Sequence, residues 1–317
     1  MTSRGCVQGC GSLGRACALL PAESSRYSSE EMMGAETAKE AMSTVGTRAA
    51  DMGAADRGAL LAPNEPAPFQ VCNETGQAPV LLLCDHASNF VPRTLNGLGL
   101  SEAELSRHIA WDIGIAEVTR DLARRLDAPA VLSHFSRLVV DPNRALDDPT
   151  LIPELSDGAM VPGNCGLGEP DRALRVACFH QVYHRVVHET LDALTARGPV
   201  PALISMHSYT PVMKGLERPW QIGILWNRDA RLPLPLIATL RAQGLNVGDN
   251  QPYSGRDNHG HTLHIHAGPR GLANVLIEVR QDLIDTHHGA AEWAECLYHA
   301  LNTVLSDPAV HEARQIA

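Results

Sequence analysis

The sequence predicts an α/β fold, a three-layer sandwich with a mixed, largely parallel sheet. From residue 69 onward, short apolar runs alternate with segments whose apolar residues recur at helical spacing. The runs are apolar almost throughout, as in "PVLLLC" and "NVLIEV", which is typical of strands buried on both faces. A mostly parallel sheet covered by helices on both sides satisfies both observations.

The elements follow in order from this pattern. We expect strands at "PVLLLCDH", "APAVLSHFS", "PALISMHS", "WQIGILWN" and "GLANVLIEVRQDLI". We expect helices over 101–126, 171–197, "LPLIATLRAQ" and 288–305, and a loop over 145–169. The first of these helices would carry Asp112 in an otherwise apolar stretch.

Composition excludes several classes of function. A chain of 317 residues can bury a sizeable core. Its net charge of -10 argues against a general binder of nucleic acid or anionic membranes. No apolar segment reaches the roughly 18 residues that cross a bilayer. The eight cysteines show no CxxC spacing, so we expect reduced thiols and a cytoplasmic protein.

The N-terminal part differs from the rest, being rich in Gly, Ser, Cys and Ala. We expect residues 1–66 to form a disordered extension and residues 67–317 to form a single domain. A transit peptide and a start codon placed too far upstream are the alternatives, since Met33, Met42 and Met52 could each begin the chain.

Four polar side chains lie at or near the ends of predicted strands: His86, Asp141, His207 and Glu278. In open α/β sheets, ligands bind beyond the carboxyl ends of the strands. We therefore expect these side chains to share one site.

His86 and His207 are the best candidates for metal ligands. Zinc commonly takes two or three such imidazoles plus water, and Asp85 and Ser205 could hold the rings in place. The alternative is a pair of histidines satisfied by backbone carbonyls. Asp112 is the candidate third ligand, because a buried acid is costly unless paired or ligating; otherwise it is an ordinary acid on a helix surface.

Glu278 interrupts an apolar run, so it needs a partner on a buried strand. A carboxylate beside a metal site is the usual general base for hydrolysis. An ion pair with Arg280 is the alternative, since residues two apart on a strand share a face. The two interpretations are compatible.

The segment "SRLVVDPNR" offers Arg137, Asn143 and Arg144. One arginine could hold a substrate carboxylate in a bidentate contact, while the other stabilises a developing oxyanion. A local turn at "DPN" is the alternative. It explains Asp141 but not the two arginines.

Histidines are concentrated in two further segments. His180, His184 and His188 fall on one face of the long predicted helix, a spacing that can bind metal but more typically lines a pocket or faces solvent. We include His184 among the candidate substrate contacts. In "NHGHTLHIHAG" we expect strand alternation to place His264 and His266 on one face, and one histidine of this group to line the site; His259 and His261 complete the group.

Taken together, residues 69–305 resemble the N-formylglutamate amidohydrolase family. The blocks that carry the resemblance are "CDHASNFVP", "WDIG", "SRLVVDPNR", "YHRVV", "SMHSYTP", "NQPYSG" and "GLANVLIEVRQDLI". That family is similar in turn to zinc carboxypeptidases. The resemblance implies a zinc-carboxypeptidase-like (phosphorylase/hydrolase-like) fold and a single catalytic domain.

The resemblance also implies roles for individual residues. His86 and His207 would hold one Zn²⁺ per chain, and Arg137 would polarise the scissile carbonyl. Asn143 and Arg144 would bind a free carboxylate, with Arg256 or Arg280 near a second one. Tyr253 would cap the substrate and Glu278 would activate water. Carboxypeptidases have a glutamate where this chain has Asn89, so either Asp112 supplies the missing ligand or the metal site is altered.

The expected function is zinc-dependent hydrolysis of N-formyl-L-glutamate to formate and L-glutamate, with a small molecule as the partner. One alternative is hydrolysis of another N-acyl amino acid or a short peptide. Another is a non-catalytic relative that binds acidic ligands, which Asn89 favours.

Overall fold

The computed structural model describes residues 59–257 and 260–316. Its strands in chain order are β1 (Phe69–Cys72), β2 (Val80–Cys84), β3 (Ala130–Ser133), β4 (Leu155–Ser156), β5 (Ala159–Met160), β6 (Ala202–Tyr209), β7 (Val212–Met213), β8 (Leu216–Glu217), β9 (Ile222–Leu225), β10 (Val247–Asp249) and β11 (Asn274–Arg280). The pairs β4–β5 and β7–β8 are small separate hairpins.

The other seven strands form one sheet in the order β1-β3-β2-β6-β11-β9-β10. Strands β3, β2, β6 and β11 run parallel to one another, and β9 pairs with β10 in parallel. Only the β1–β3 and β11–β9 pairings of this sheet are antiparallel. The predicted mixed, largely parallel sheet is confirmed.

The α-helices in chain order are α1 (Glu102–Leu105), α2 (Ile115–Leu126), α3 (Glu169–Arg175), α4 (Gln181–Thr195), α5 (Pro233–Ala242), α6 (His261–His266) and α7 (His287–Leu305). A π-helical turn, Val176–His180, joins α3 to α4. The helix predicted over 171–197 is therefore present, with a wider turn in its middle.

Helices cover both faces of the sheet, as successive residues of β2 show. Leu82 and Cys84 belong to a core cluster with residues of α2, α5 and α7. Leu81 and Leu83 belong to a second cluster with residues of α4. Because strand side chains alternate between faces, Asp85 follows Leu83 toward the α4 side.

The same alternation directs two more side chains to the α4 side. On β6, Leu203 belongs to the α4 cluster, and His207 lies two periods further along the strand. On β11, Leu276 belongs to that cluster and Glu278 is the next residue on its face. Polar side chains of three neighbouring strands therefore converge near the carboxyl ends of β2, β6 and β11.

The helix predicted over 101–126 is wrong in its middle. It breaks into α1 and α2, and Asp112 lies in the turn between them, with its N–H donating to the carbonyl of His86 (2.9 Å). Gly114 ends this turn at φ 81°, where a Cβ would lie 2.1 Å from the Ile284 carbonyl oxygen. Only glycine fits there without strain.

The prediction for "HTLHIH" is also wrong. These residues form α6 rather than a strand, so His264 is exposed while His266 is buried, and the two do not share a face. The predicted loop over 145–169 contains the β4–β5 hairpin and the first residue of α3. His259 lies outside the described residues.

The predicted extension, 1–66, overlaps the described residues at 59–66. Here Leu61 is buried in the core, and the Glu65 carboxylate accepts hydrogen bonds from the N–H groups of Ala62 and Arg93, both at 2.8 Å. The rest of the extension and the three alternative start positions lie outside the described residues. Among the helices described, none has the length and apolar character that a membrane crossing requires.

Candidate active site

A cavity of about 160 Å³ lies at the carboxyl ends of β6 and β11. Polar and charged side chains form most of its wall. Its lining comprises His86, His108, Asp112, Arg137, Asn143, Arg144, His207, Ser208, Tyr209, Thr210, Tyr253, Gly260, Leu276, Glu278 and Gln281.

Three buried side chains converge on one point of this cavity. His86, Asp112 and His207 each place one ligand atom within 4.8 Å of the others. Asp112 Oδ2 lies 2.9 Å from His207 Nδ1 and 3.4 Å from His86 Nδ1. The three predicted ligands are thus brought together, with both imidazoles presenting Nδ1.

The other nitrogen of each imidazole contacts a buried carboxylate. His86 Nε2 lies 2.8 Å from Asp141 Oδ1, and His207 Nε2 lies 3.0 Å from Asp85 Oδ2. A carboxylate behind Nε2 favours a proton on that nitrogen, so Nδ1 is the atom that each ring presents to the cavity, an arrangement common to metal-binding histidines. His207 Nε2 also lies 3.0 Å from Ser205 Oγ. Asp85 and Ser205 are therefore placed as the sequence suggested.

Asp85 is held by several donors at once. Tyr183 Oη donates to its Oδ1 (2.8 Å) and Ser205 Oγ donates to its Oδ2 (3.1 Å). Burial raises the pKa of the Asp85 carboxyl. The opposing effect is larger, because His207, through its hydrogen bond and charge, and Tyr183, through its hydrogen bond, lower this pKa to about 2. Asp85 therefore stays ionised and fixes the ring of His207.

Glu278 stands beside this group on β11, as the register partner of His207 on β6. Its side chain is 7% exposed, and its Oε2 has no hydrogen-bond partner among the described residues. Burial, together with the charge of Asp112, raises the pKa of Glu278 to about 7. The alternative ion pair with Arg280 is not formed, because Arg280 Nε donates to Asp282 (2.7 Å).

Arg137 reaches the same point from the loop after β3. Its Nη1 lies 3.3 Å from His86 Nδ1 and 3.6 Å from Asp112 Oδ1, while its Nη2 donates to Asp141 Oδ2 (2.7 Å). Burial lowers the pKa of Arg137, but Asp141 and Asp112 raise it by more. A permanently charged guanidinium therefore faces the cavity next to the three convergent ligand atoms.

Asn143 and Arg144 line the cavity wall. The Asn143 side-chain oxygen accepts from the N–H of Thr262 (3.1 Å). Within the residues that the structure describes, the Arg144 guanidinium makes only long ion pairs, 3.9 Å each, to carboxylate oxygens of Asp141 and Asp148, so it can turn toward a ligand. The Asp141 carboxylate also accepts from the Asn143 N–H (2.9 Å), so the predicted "DPN" turn exists, and Asp141 contacts the two arginines that flank it.

Tyr253 lines the cavity as well, and the Arg218 guanidinium lies 4.9 Å from its ring centroid. Three other candidates lie outside the cavity lining. His184 contacts the Pro142 carbonyl and His266, Arg280 pairs with Asp282, and Arg256 stacks over Trp226.

Asn89 also lies away from the cavity lining, because its side chain donates to the Leu105 carbonyl (3.0 Å). Asp112, which comes from a different segment of the chain than Asn89, lies beside the two histidines instead. The feature that favoured a non-catalytic relative is thus offset by an acid from a different segment.

Sequence reasoning missed two kinds of residue. Asp141 was expected at the shared site from its place near a strand end, but its only predicted role was in a turn; its contact with His86 Nε2 was missed. His108, Ser208, Thr210 and Gln281 line the cavity without any distinguishing pattern in the sequence. Ser208 and Thr210 could have been found as the residues that follow His207 on and after β6.

The donor set fits a zinc ion. Two imidazoles and one carboxylate are a usual set of three protein ligands at catalytic zinc, which keeps a further position open. Four buried carboxylates, those of Asp85, Asp112, Asp141 and Glu278, surround the point of convergence. This concentration of buried acid favours a bound cation.

The chain was compared with known families and structures. The family model described as N-formylglutamate amidohydrolase matches residues 78–285. The structure of gene product Atu2144 from Agrobacterium tumefaciens is 37% identical, with a TM-score of 0.76, over 80% of this chain and 100% of that one. The N-formylglutamate amidohydrolase from Ralstonia eutropha JMP134 is 18% identical, with a TM-score of 0.56, over 75% and 97% of the two chains.

Comparison with curated protein sequences gave no match. The Ralstonia structure supports the fold. The matched residues of the family model include His86, Asp112, His207 and Glu278. The chain belongs to the N-formylglutamate amidohydrolase family.

Proposed function

We propose that the chain is a zinc-dependent amidohydrolase that cleaves N-formyl-L-glutamate into formate and L-glutamate. One observation carries this proposal: the carboxylate of Glu278, whose Oε2 has no partner in the described part of the chain, faces the same cavity as His86, Asp112 and His207. A base and a set of metal ligands in one cavity are the parts that hydrolysis of an amide requires. The matched family and the Ralstonia enzyme support the same reaction class.

His86, Asp112 and His207 would hold one zinc ion. When bound, zinc supplies Lewis acidity and lowers the pKa of water. Asp141 and Asp85 orient the two imidazoles from behind. The chain therefore contributes ligands whose orientation is fixed in advance, because Asp141 and Asp85 contact Nε2 of each ring and leave Nδ1 for the ion.

Glu278 acts as the general base and then as the general acid. A pKa near 7 lets its carboxylate accept a proton from the attacking water and return it afterwards. A C–O bond forms at the formyl carbon, the C–N bond breaks, and the proton from Glu278 goes to the leaving nitrogen. Formate and the free amino acid result.

Arg137 stabilises the oxyanion that develops on the formyl oxygen. Its Nη1 lies 3.3 Å from His86 Nδ1, so the guanidinium borders the point where the ligand atoms converge. Asp141 holds Nη2 at 2.7 Å and fixes the direction of the group. A preorganised cation of this kind lowers the barrier without reorganising during the reaction.

Arg144 and Asn143 bind a carboxylate of the substrate, and Tyr253 closes over it. The ion pairs that Arg144 makes within the protein are long, 3.9 Å each. A ligand carboxylate therefore competes only with weak contacts for this guanidinium. His184 and Arg280 were predicted as further substrate contacts. His184 instead lies behind the cavity wall, against the Pro142 carbonyl, and Arg280 pairs with Asp282. Arg144 is therefore the residue that binds the substrate carboxylate.

We keep the cytoplasm as the proposed location. Each cysteine in the described part of the chain is free, namely Cys72, Cys84, Cys165, Cys178 and Cys296. Free thiols are expected where glutathione and thioredoxin keep cysteine reduced.

Formate release from N-formyl-L-glutamate tests the proposal. The full-length chain would be stripped with a chelator, then assayed before and after zinc is restored, alongside N-acetyl-L-glutamate and N-formyl-L-leucine. We expect release that returns with zinc and is fastest with N-formyl-L-glutamate. Faster hydrolysis of another substrate would overturn the substrate assignment. No hydrolysis of any of them by protein with stoichiometric zinc would overturn the reaction and favour a ligand-binding relative.

A further inference from the structure

A second histidine cluster lies outside the cavity lining. It comprises His180 in the π-helical turn, His184 on α4, and His261 and His266 on α6. The ring centroids of His184 lie 4.4 Å from those of His180, 5.2 Å from His266 and 6.1 Å from His261. His180, His184 and His261 each place one ring nitrogen within 4.8 Å of the others.

Two of these imidazoles are oriented from behind by backbone carbonyls. His180 Nε2 donates to the Arg144 carbonyl (3.0 Å), and His184 Nε2 donates to the Pro142 carbonyl (2.9 Å). These bonds place the proton on Nε2, so Nδ1 carries the lone pair of each ring; the Nδ1 of His184 accepts from His266 Nε2 (3.0 Å). The same arrangement holds His86 and His207, with carboxylates in place of carbonyls. Histidines that ligate metals are typically held this way.

The cluster is not satisfied by its own hydrogen bonds. His266 Nε2 lies 3.0 Å from His184 Nδ1, but His266 Nδ1 is buried and has no partner within the described residues. His266 itself is 5% exposed. The cluster therefore holds an imidazole nitrogen that the described residues leave unsatisfied.

We propose that His180, His184 and His261 form a second metal site, which binds a divalent transition-metal ion of the zinc class. Three neutral imidazoles and no carboxylate favour zinc, copper or nickel over magnesium or calcium. His266 lies next to the ligands and can adjust its contact with His184 when the ion binds. This site is separate from the three ligands of the active site and shares no residue with them.

Such an ion would join two helical segments across the loop that carries the substrate contacts. His180 and His184 hold the carbonyls of residues 144 and 142 from one side. From the other side, Thr262 on α6 donates its N–H to Asn143 Oδ1 (3.1 Å) and its hydroxyl to the Pro142 carbonyl (3.4 Å). A metal that bridges α4 and α6 would therefore stabilise the segment 142–144 without touching substrate.

Metal content per chain tests this proposal. The full-length protein would be saturated with Zn²⁺, dialysed against metal-free buffer and measured by mass spectrometry of the metal. We expect two ions in the wild type, one in His261→Ala, and one in His207→Gln, whose amide can keep donating to Asp85. His264→Ala is the matched control on the same helix, and it should keep two because His264 is exposed and outside the cluster.

A Co²⁺ titration of the wild type gives a second readout that needs no variant. Two successive equivalents should each add visible absorption, whereas Mg²⁺ should add none and compete with neither. Two ions retained in His261→Ala, or a single ion in the wild type that His261→Ala leaves in place, would overturn the second site. A single ion that His261→Ala removes and His207→Gln retains would instead support the second site and overturn the first.

Discussion

His207 and Glu278 are register partners on the parallel strands β6 and β11, and both side chains face the same cavity. In the proposed mechanism, one strand delivers a metal ligand and its neighbour delivers the base. Because parallel register fixes the two Cα positions, the sheet sets the spacing between them. The spacing of the proposed ligand and base thus depends on two largely buried strands rather than on a loop.

Placing an acid there costs stability when no metal is bound. Burial raises the pKa of Glu278 from 4.5 to about 7, so the folded state holds its proton more tightly than the unfolded state does. Between these two values the unfolded state ionises first, and stability falls as pH rises. The shift corresponds to about 3 kcal/mol at most.

We therefore expect Glu278→Gln to stabilise the metal-free protein above pH 7, by up to about 3 kcal/mol, and to have no such effect below pH 4.5. Urea unfolding of the chelated protein at both ends of this range measures the difference. Glu292→Gln, an exposed change on α7, is the matched control and should be neutral at both. A destabilised Glu278→Gln at high pH would contradict the assignment of an unpaired buried carboxylate.

The pH dependence of catalysis should also report the ionisation of Glu278, which must lose its proton before it can act as the base. The base must be ionised, so kcat/KM rises with pH as Glu278 loses its proton. A bound cation favours the ionised form, which places the acidic limb between the ordinary value of 4.5 and about 7. Rates on N-formyl-L-glutamate across this range measure the limb. Activity that falls with rising pH over the same interval would be incompatible with Glu278 as the base.

The orientation of His207 can be tested through Asp85. Asp85→Asn keeps the shape of the side chain but removes the charge that holds His207 Nε2 (3.0 Å). We expect zinc affinity to fall roughly 10–100-fold, the usual cost of losing such a partner. Tyr183→Phe removes only the hydroxyl contact to the other oxygen of Asp85, so it should cost less. Competition with a zinc indicator measures both; equal losses would show that the charge on Asp85 is not what matters.

Arg144 should determine KM for substrates with a free carboxylate. We expect Arg144→Ala to raise KM roughly ten- to hundredfold with little change in kcat, since a hydrogen bond to a charged group is worth about 1.5–3 kcal/mol. Arg256→Ala, which alters an arginine stacked over Trp226 outside the cavity lining, is the control. Steady-state rates on N-formyl-L-glutamate and on its diamide separate the effects. A similar rise in KM for the diamide would remove Arg144 from carboxylate binding.

Much of this architecture could be predicted because buried parallel strands leave a clear pattern. Near-continuous apolar runs located β2, β6 and β11, and the polar residues at their ends identified His86, His207 and Glu278. Strand ends of one parallel sheet meet at one edge, so sequence alone indicated a shared site.

What could not be predicted depends on contacts between distant segments. Asp112 fits a helical pattern in sequence, yet its turn is set by Gly114 against the Ile284 carbonyl. The role of Asp141 depends on the ring of His86, 55 residues away. The four histidines of the second cluster come from two helices, one of which the alternation of "HTLHIH" wrongly predicted as a strand. No local pattern carries these relationships.

The proposed mechanism makes Glu278 the base at a zinc site formed by His86, Asp112 and His207. The most direct measurement compares formate release from N-formyl-L-glutamate by zinc-loaded wild type and Glu278→Gln, with zinc content determined for both. We predict equal zinc content and a loss of turnover in the variant of roughly 10²–10⁴-fold, the usual contribution of a general base. Equal turnover at equal zinc content would contradict the claim.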